Sequence, residues 1–153
     1  MKTVVFLMGS PASGKSTVGR RMFPDAFIID PDEYKKMIPG YDPKNPGVVH
    51  KESSKIAEHE FQMAIRDEHD TILVDGTGSN AEKMIRRMTE ARIPGWEVVL
   101  LYVVCPLAVC LARNEARERT VDREMLIQKF LDIRYAFDAV APHADIVKVI
   151  NNA

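Results

Sequence analysis

Val4-Val5-Phe6-Leu7-Met8-Gly9-Ser10-Pro11-Ala12-Ser13-Gly14-Lys15-Ser16-Thr17 decides the fold of this 153-residue chain. The apolar run reads as a buried strand, and it enters the pattern G-x-x-x-x-G-K-S, which requires a strand before it and a helix after it. Residues from Lys15 to Met22 supply that helix, whose free N–H groups and dipole point back at the loop. Gly9, Ser10, Pro11, Ala12, Ser13, Gly14, Lys15, Ser16 and Thr17 are thus expected to cradle the phosphates of a nucleoside triphosphate. The Lys15 ammonium adds charge, and the Ser16 hydroxyl is placed to ligate Mg²⁺.

Outside this stretch the totals narrow the field. The chain is long enough for one domain, residues 1–153, with a sizeable core. A net charge of −1 gives no overall basic field, so any nucleic-acid contact must be local. The candidate strip for it is Arg86, Arg87, Arg113, Arg117, Arg119 and Arg123. The N-terminal apolar run is too short for a signal-peptide core or a membrane span, which makes a cytoplasmic protein with no membrane partner the expectation. Cys105 and Cys110 lie in apolar sequence at no metal-ligand spacing and are expected as reduced core thiols.

Further along, Ala26-Phe27-Ile28-Ile29 reads as a second strand ending in Asp30-Pro31-Asp32-Glu33-Tyr34-Lys35. Asp30 suits an N-cap, Pro31 the first helical position, and Asp32 and Glu33 the first turn. Because the carboxyl ends of parallel strands gather in one crevice, Asp30 and Asp32 are also expected beside the phosphate loop. The Pro- and Gly-rich residues 38–47 form a loop. A long helix over residues 48–68 follows, with Ile56, Ala57, Phe61, Met63, Ala64 and Ile65 as its apolar stripe. His50, His59 and His69 fall in or near it without ligand spacing, and surface or partner-satisfied roles are expected.

Thr71-Ile72-Leu73-Val74-Asp75 is a third strand, whose terminal Asp75 is placed to order Mg²⁺. Ser79 or Asn80 caps a helix to Arg92, with Met84, Ile85 and Met88 inward. Residues 96–104 form a near-continuously apolar strand. Pro106 opens a helix that turns basic at Arg113 and Arg117, four residues apart on one face. Thr120 and Asp122 cap another helix with Met125, Leu126, Phe130, Ile133 and Phe137 as its buried stripe, and residues 145–150 are a last strand. This alternation predicts a three-layer α/β domain with a five-stranded, mostly parallel sheet.

Among chemistries that use such a loop, a regulatory GTPase would carry an Asn-Lys-x-Asp stretch, which is absent here. A motor ATPase would need more chain. A kinase needs a phosphate loop, an acceptor-side carboxylate and an Arg-bearing lid that excludes water, because an open site hydrolyses ATP instead of transferring its phosphoryl group. Each has a candidate, the lid at about residues 113–122. A non-catalytic nucleotide-binding switch is the alternative.

Gly9 to Thr17, Asp30 to Lys35, Val74-Asp75-Gly76-Thr77, and Arg113-Asn114 with Arg117 together resemble the 5′-kinase domain of phage polynucleotide kinase and the related zeta-toxin-like P-loop kinases. The likeness covers nearly the whole chain. It implies that Asp32 receives the acceptor hydroxyl's proton. It also implies that Lys35 stands where those kinases hold an acceptor-gripping Arg. Asp30, Asp75 and Thr77 fall on the acceptor side, and Arg113 and Arg117 stabilise the transferred group. The implied acceptor is a hydroxyl on nucleic acid or a nucleotide, either a 5′-hydroxyl end or a hydroxymethyl group of a modified DNA base. The Asp75-Gly76-Thr77 pattern is closer to the zeta-toxin-like group, whose acceptor is a nucleotide sugar. Tyr34 and Tyr41 are candidates for stacking a base or for packing.

Overall fold

The computed structural model describes residues 2–76, 78–117 and 121–153. Five strands, β1 (Thr3–Met8), β2 (Phe27–Ile29), β3 (Thr71–Val74), β4 (Glu97–Val104) and β5 (Ile146–Asn151), form a sheet in the order β2-β3-β1-β4-β5. Every pairing is parallel. Among the described residues six α-helices connect or flank them: α1 (Lys15–Met22), α2 (Pro31–Lys35), α3 (His50–Ala64), α4 (Ala81–Arg92), α5 (Leu107–Glu115) and α6 (Arg123–Val140). β1 lies between β3 and β4, so the chain leaves the sheet centre where neighbouring connections run to opposite sides, and a crevice opens there.

Alternation along β1 assigns its two faces. Val4, Phe6 and Met8 join Ala57, Phe61, Met84, Met88, Ile133 and Val140, which belong to α3, α4 and α6. Val5 and Leu7 join Leu73, Leu101 and Val103 on the opposite face, with Val18 of α1 against them. All of β1 from Val4 to Met8 is closed to water, as a central parallel strand requires. β5, at the edge, is mostly exposed.

Several details differ from the sequence expectations. The long helix begins with a 3₁₀ turn, Pro46–Val49, and ends at Ala64. Met63 is 58% exposed and Ile56 also faces water, because α3 buries only the narrower stripe Ser53, Ala57, Phe61 and Ala64. Met125, in the first turn of α6, is likewise exposed, while Leu126 and Ile133 carry the packing. Cys105 and Cys110 are not free thiols. The turn through Pro106 between β4 and α5 brings their Cα atoms to 6.5 Å, and they form a disulfide. Of the expected caps, Asn80 and Asp122 are in place, whereas Thr120 lies outside the described residues.

Candidate active site

The phosphate loop closes on itself through the Ser13 amide, which donates to the Ser10 carbonyl at 3.1 Å. Two glycines make its path possible. Gly14 sits at φ +84°, and a Cβ there would collide with the side-chain amide of Asn152. At Gly9 a Cβ would fall 2.7 Å from Ser13 Oγ and 2.8 Å from the Val103 carbonyl. Ala12, without a glycine's freedom, is held at φ 65°, a left-handed conformation that costs about 1 kcal/mol and is tolerated where surrounding structure enforces it. Ser13 Oγ is buried with no hydrogen-bond partner among the described residues. An orphaned donor inside a ring of loop amides is what an incoming phosphate oxygen would satisfy.

Around this cradle the strand tips deliver carboxylates. Ser16, in the first turn of α1, donates from Oγ to Asp75 Oδ2 at 2.6 Å, and Asp75 at the end of β3 is 4% exposed. Hydroxyl and carboxylate oxygens meeting here are the hard donors Mg²⁺ prefers, and Mg²⁺ is commonly held by one or two protein oxygens plus substrate phosphates and water. The pair fits that ion. Asp30 caps α2, its Oδ1 accepting from the Asp32 amide at 2.9 Å. Arg20, one turn beyond Ser16 on α1, reaches Asp30 Oδ2 at 2.9 Å and Asp75 Oδ2 at 3.9 Å. Burial, and then the neighbouring Asp75 charge, raise the Asp30 carboxyl to about 6 despite Arg20.

Lys15 is drawn into the same field. Its desolvation lowers its pKa, opposed by Asp75, Asp32 and Asp30, while Arg117 reinforces the lowering. The fold therefore brings together residues that lie 15 to 102 positions from Lys15 in sequence. Asp32 is half exposed at the mouth, and Lys35 Nζ stands 3.5 Å from its Oδ1. Arg113 Nη1 donates to the Ser13 carbonyl at 3.4 Å, so α5 touches the loop itself. Arg117 follows α5 and is exposed. Asn114 is buried between them and clamps the base of the expected lid, donating to the Val121 carbonyl at 2.6 Å and accepting from its amide at 2.9 Å. Thr77 lies outside the described residues, as do lid positions 118–120.

Two contributors were not read from the sequence. Arg20 had a signal, its i,i+4 spacing from Ser16 on one helix face. Asn152, whose Nδ2 donates to the Ser13 carbonyl at 2.9 Å, had none, since it arrives from the other end of the chain. The basic strip does not hold as a surface. Arg87 is 6% exposed, bound to Glu58 at 2.8 Å and lying over the Phe61 ring. Arg86 is shared by Glu58 and Glu90, Arg123 pairs with Glu115, and Arg119 lies outside the described residues. Tyr34 packs against the core. His50 and His59 are exposed, and His69 stacks on Phe27. A cavity of about 280 Å³ lies off the centre of this site, between β4 and α6, and is lined by Tyr102, Phe130, Ile133 and Arg134 with Ser10 as its link to the loop. No helix among the described residues is long and apolar enough to cross a membrane.

No curated protein matches the chain. Solved structures match in fold. The PezAT chromosomal toxin–antitoxin system of Streptococcus pneumoniae contains a chain with TM-score 0.75 at 14% identity, covering 99% of this chain and 68% of that one. The AvrRxo1-ORF1:AvrRxo1-ORF2 complex with ATP gives TM-score 0.75 at 20% identity, over 100% of this chain and 55% of that one. The Pnkp1/Rnl/Hen1 RNA repair complex gives TM-score 0.71 at 18% identity, over 90% and 45%. This chain thus spans about half the length of the last two. The Zeta toxin family model matches residues 1–153, the whole chain. With a phosphate loop and a Ser16–Asp75 pair meeting in one crevice, the chain belongs to the Zeta toxin family, and its fold and family support a phosphotransferase.

Proposed function

We propose that the chain is an ATP-dependent kinase that transfers the γ-phosphoryl group to a hydroxyl on a nucleic acid or nucleotide. The observation that carries this reading is the convergence of Asp32 and Asp75 on Lys15, at the mouth of the loop that ends in Ser16. The loop amides and Lys15 would bind the β- and γ-phosphates and hold them in line with the acceptor. Mg²⁺ held by Ser16 and Asp75 would neutralise charge on the phosphate oxygens. Asp32 would accept a hydrogen bond from the acceptor hydroxyl, orient its oxygen toward phosphorus, and take its proton as the new O–P bond forms and the bond to ADP breaks. Arg113 and Arg117 would close from α5 and stabilise charge on the transferred group.

The acceptor assignment, a 5′-hydroxyl end or a hydroxymethyl group of a modified DNA base, rests on the resemblance of the Asp30 to Lys35 segment to polynucleotide kinase. A second acceptor, the hydroxyl of a nucleotide sugar, rests on the resemblance of Asp75-Gly76-Thr77 to the zeta-toxin-like kinases, and the whole-chain Zeta toxin match supports that resemblance. Incubation with γ-labelled ATP and Mg²⁺ separates them, using 5′-hydroxyl DNA and RNA, hydroxymethylpyrimidine DNA, nucleosides and nucleotide sugars as acceptors. Label should enter one of the first two classes. Brisk ATP hydrolysis with no labelled acceptor would overturn the kinase reading.

A further inference from the structure

We propose that the Cys105–Cys110 disulfide is a redox modification site, opened by a small thiol that carries a carboxylate, and that its state sets the grip of α5 on the phosphate loop. The proposal rests on the nucleotide-binding part of the kinase reading, whatever the acceptor. The bond uses both cysteines of the chain and joins the residue after β4 to the first turn of α5, five positions on. From there the helix meets the loop twice. Cys110 Sγ lies 3.3 Å from Ser10 Oγ in a buried contact. A disulfide sulfur carries no proton, so the Ser10 hydroxyl is the donor. Arg113 Nη1 donates to the Ser13 carbonyl at 3.4 Å. Cys110 and Arg113 are three positions apart on one helix face. One face of α5 thus holds both ends of the Ser10–Ser13 turn, and the disulfide fixes that face to β4, the neighbour of β1 in the sheet.

The two sulfurs are not equally open to attack. Cys110 is closed to water, whereas Cys105 lines the cavity of about 280 Å³ between β4 and α6, which also reaches Ser10. Tyr102, Phe130 and Arg134 form other walls of that cavity. They offer aromatic surface to the body of a small ligand and a cation to its carboxylate. A thiolate entering there attacks Cys105 Sγ. A new S–S bond forms as the Cys105–Cys110 bond breaks, and the electron pair leaves on Cys110 Sγ. The Ser10 hydroxyl, already 3.3 Å away, donates to the departing thiolate, which then takes a proton from water. The products are a mixed disulfide at Cys105 and a thiol at Cys110. A second thiol completes the reduction, or Cys110 attacks Cys105 again and expels the first. Leu107, Val109 and Leu126 still pack around the sulfurs, so the opened protein keeps its fold. Its α5 is no longer tied to β4, and both contacts with the loop weaken together.

Two measurements test this. In the first, the folded protein is incubated with millimolar reduced glutathione, quenched with an alkylating agent and mapped by mass spectrometry. Glutathione should appear on Cys105 and the alkyl group on Cys110. Arg134→Gln should slow the exchange about fivefold with glutathione and leave it unchanged with uncharged mercaptoethanol. A bond that resists both thiols until urea unfolds the chain would overturn the site, as would glutathione on Cys110. An Arg134→Gln rate equal to wild type with glutathione would overturn the assignment of a carboxylate-bearing thiol. In the second, ATP binding is measured by calorimetry before and after reduction. Reduction should weaken it about tenfold, the equivalent of two modest hydrogen bonds partly lost. Cys105→Ser should bind ATP as the reduced protein does and ignore added thiols, and Cys110→Ser should do the same if Cys105→Ser does not fold. Equal ATP affinity in the two redox states would overturn the coupling. An oxidised protein that binds no ATP while glutathione still exchanges at Cys105 would instead overturn the nucleotide reading and leave the modification site standing.

Discussion

Replacing Asp30 with asparagine should stabilise the protein, and only above a defined pH. Asp30 caps α2 and pairs with Arg20, yet burial and the Asp75 charge raise its carboxyl from 3.8 to about 6. An acid whose pKa is raised by folding holds its proton more tightly in the native state, so stability falls as pH rises between the two values. The shift of about two units corresponds to roughly 3 kcal/mol at 1.36 kcal/mol per unit. The substituted carboxamide would keep the acceptor oxygen that caps the Asp32 amide and would carry no charge. Relative to wild type, Asp30→Asn should therefore be near neutral below pH 4, gain stability through pH 4–6, and level off about 1–3 kcal/mol more stable above pH 7. For a chain of this length that is a rise of several degrees in Tm. Urea unfolding of the nucleotide-free protein at pH 4, 5, 6 and 8 measures it. A variant less stable than wild type at pH 8, or a gain independent of pH, would refute the reasoning, because the Arg20 pair would then outweigh burial and Asp75.

Other consequences follow from the same contacts. At Glu58, burial pushes the pKa up, but hydrogen bonds from Arg86, Arg87 and Gln62 prevail and hold it at about 2. Its stabilisation is present above pH 4.5 and lost as pH falls through 2. With solvent screening allowed for, Glu58→Gln should cost about 1–3 kcal/mol at pH 7 and almost nothing near pH 2 in acid-unfolding titrations. Asn152→Ala removes the hydrogen bond to the Ser13 carbonyl and should weaken ATP binding about fivefold by calorimetry, the equivalent of about 1 kcal/mol, without changing the melting temperature much. Phe61→Ala should cost about 3–5 kcal/mol in urea unfolding, since its ring is wholly buried against Phe6, whereas Met63→Ser on the exposed side of α3 should be within about 0.5 kcal/mol of wild type.

What could be read from the sequence was what depends on local chemistry. The apolar run before Gly9, the Gly14-Lys15-Ser16 turn and the Asp30-Pro31 helix start each carry their own signal within a few residues, and each stands where expected. Parallel order followed because strands separated by helices have little alternative. Contacts set by distant partners were less legible. Arg87 resembles a surface arginine until Glu58, 29 residues away, accepts it into the interior. Met63 and Met125 satisfy helical periodicity, yet the layer beneath is too narrow to cover them. The Cys105–Cys110 disulfide depends on how sharply the chain turns at Pro106, and Asn152 reaches the loop only because β5 lies beside β4 in register. At the site, the residue types of Asp32, Asp75 and Lys15 were visible, but their convergence is a property of the strand order.

The most direct test of the account compares ATP binding and γ-phosphoryl transfer in Asp32→Asn with the acceptor that the labelling panel identifies. Loss of the group that orients the hydroxyl should lower kcat by about 10²–10⁴-fold while ATP affinity stays within about threefold of wild type. Transfer at the wild-type rate in Asp32→Asn would contradict the central claim that this aspartate faces the phosphorus under attack.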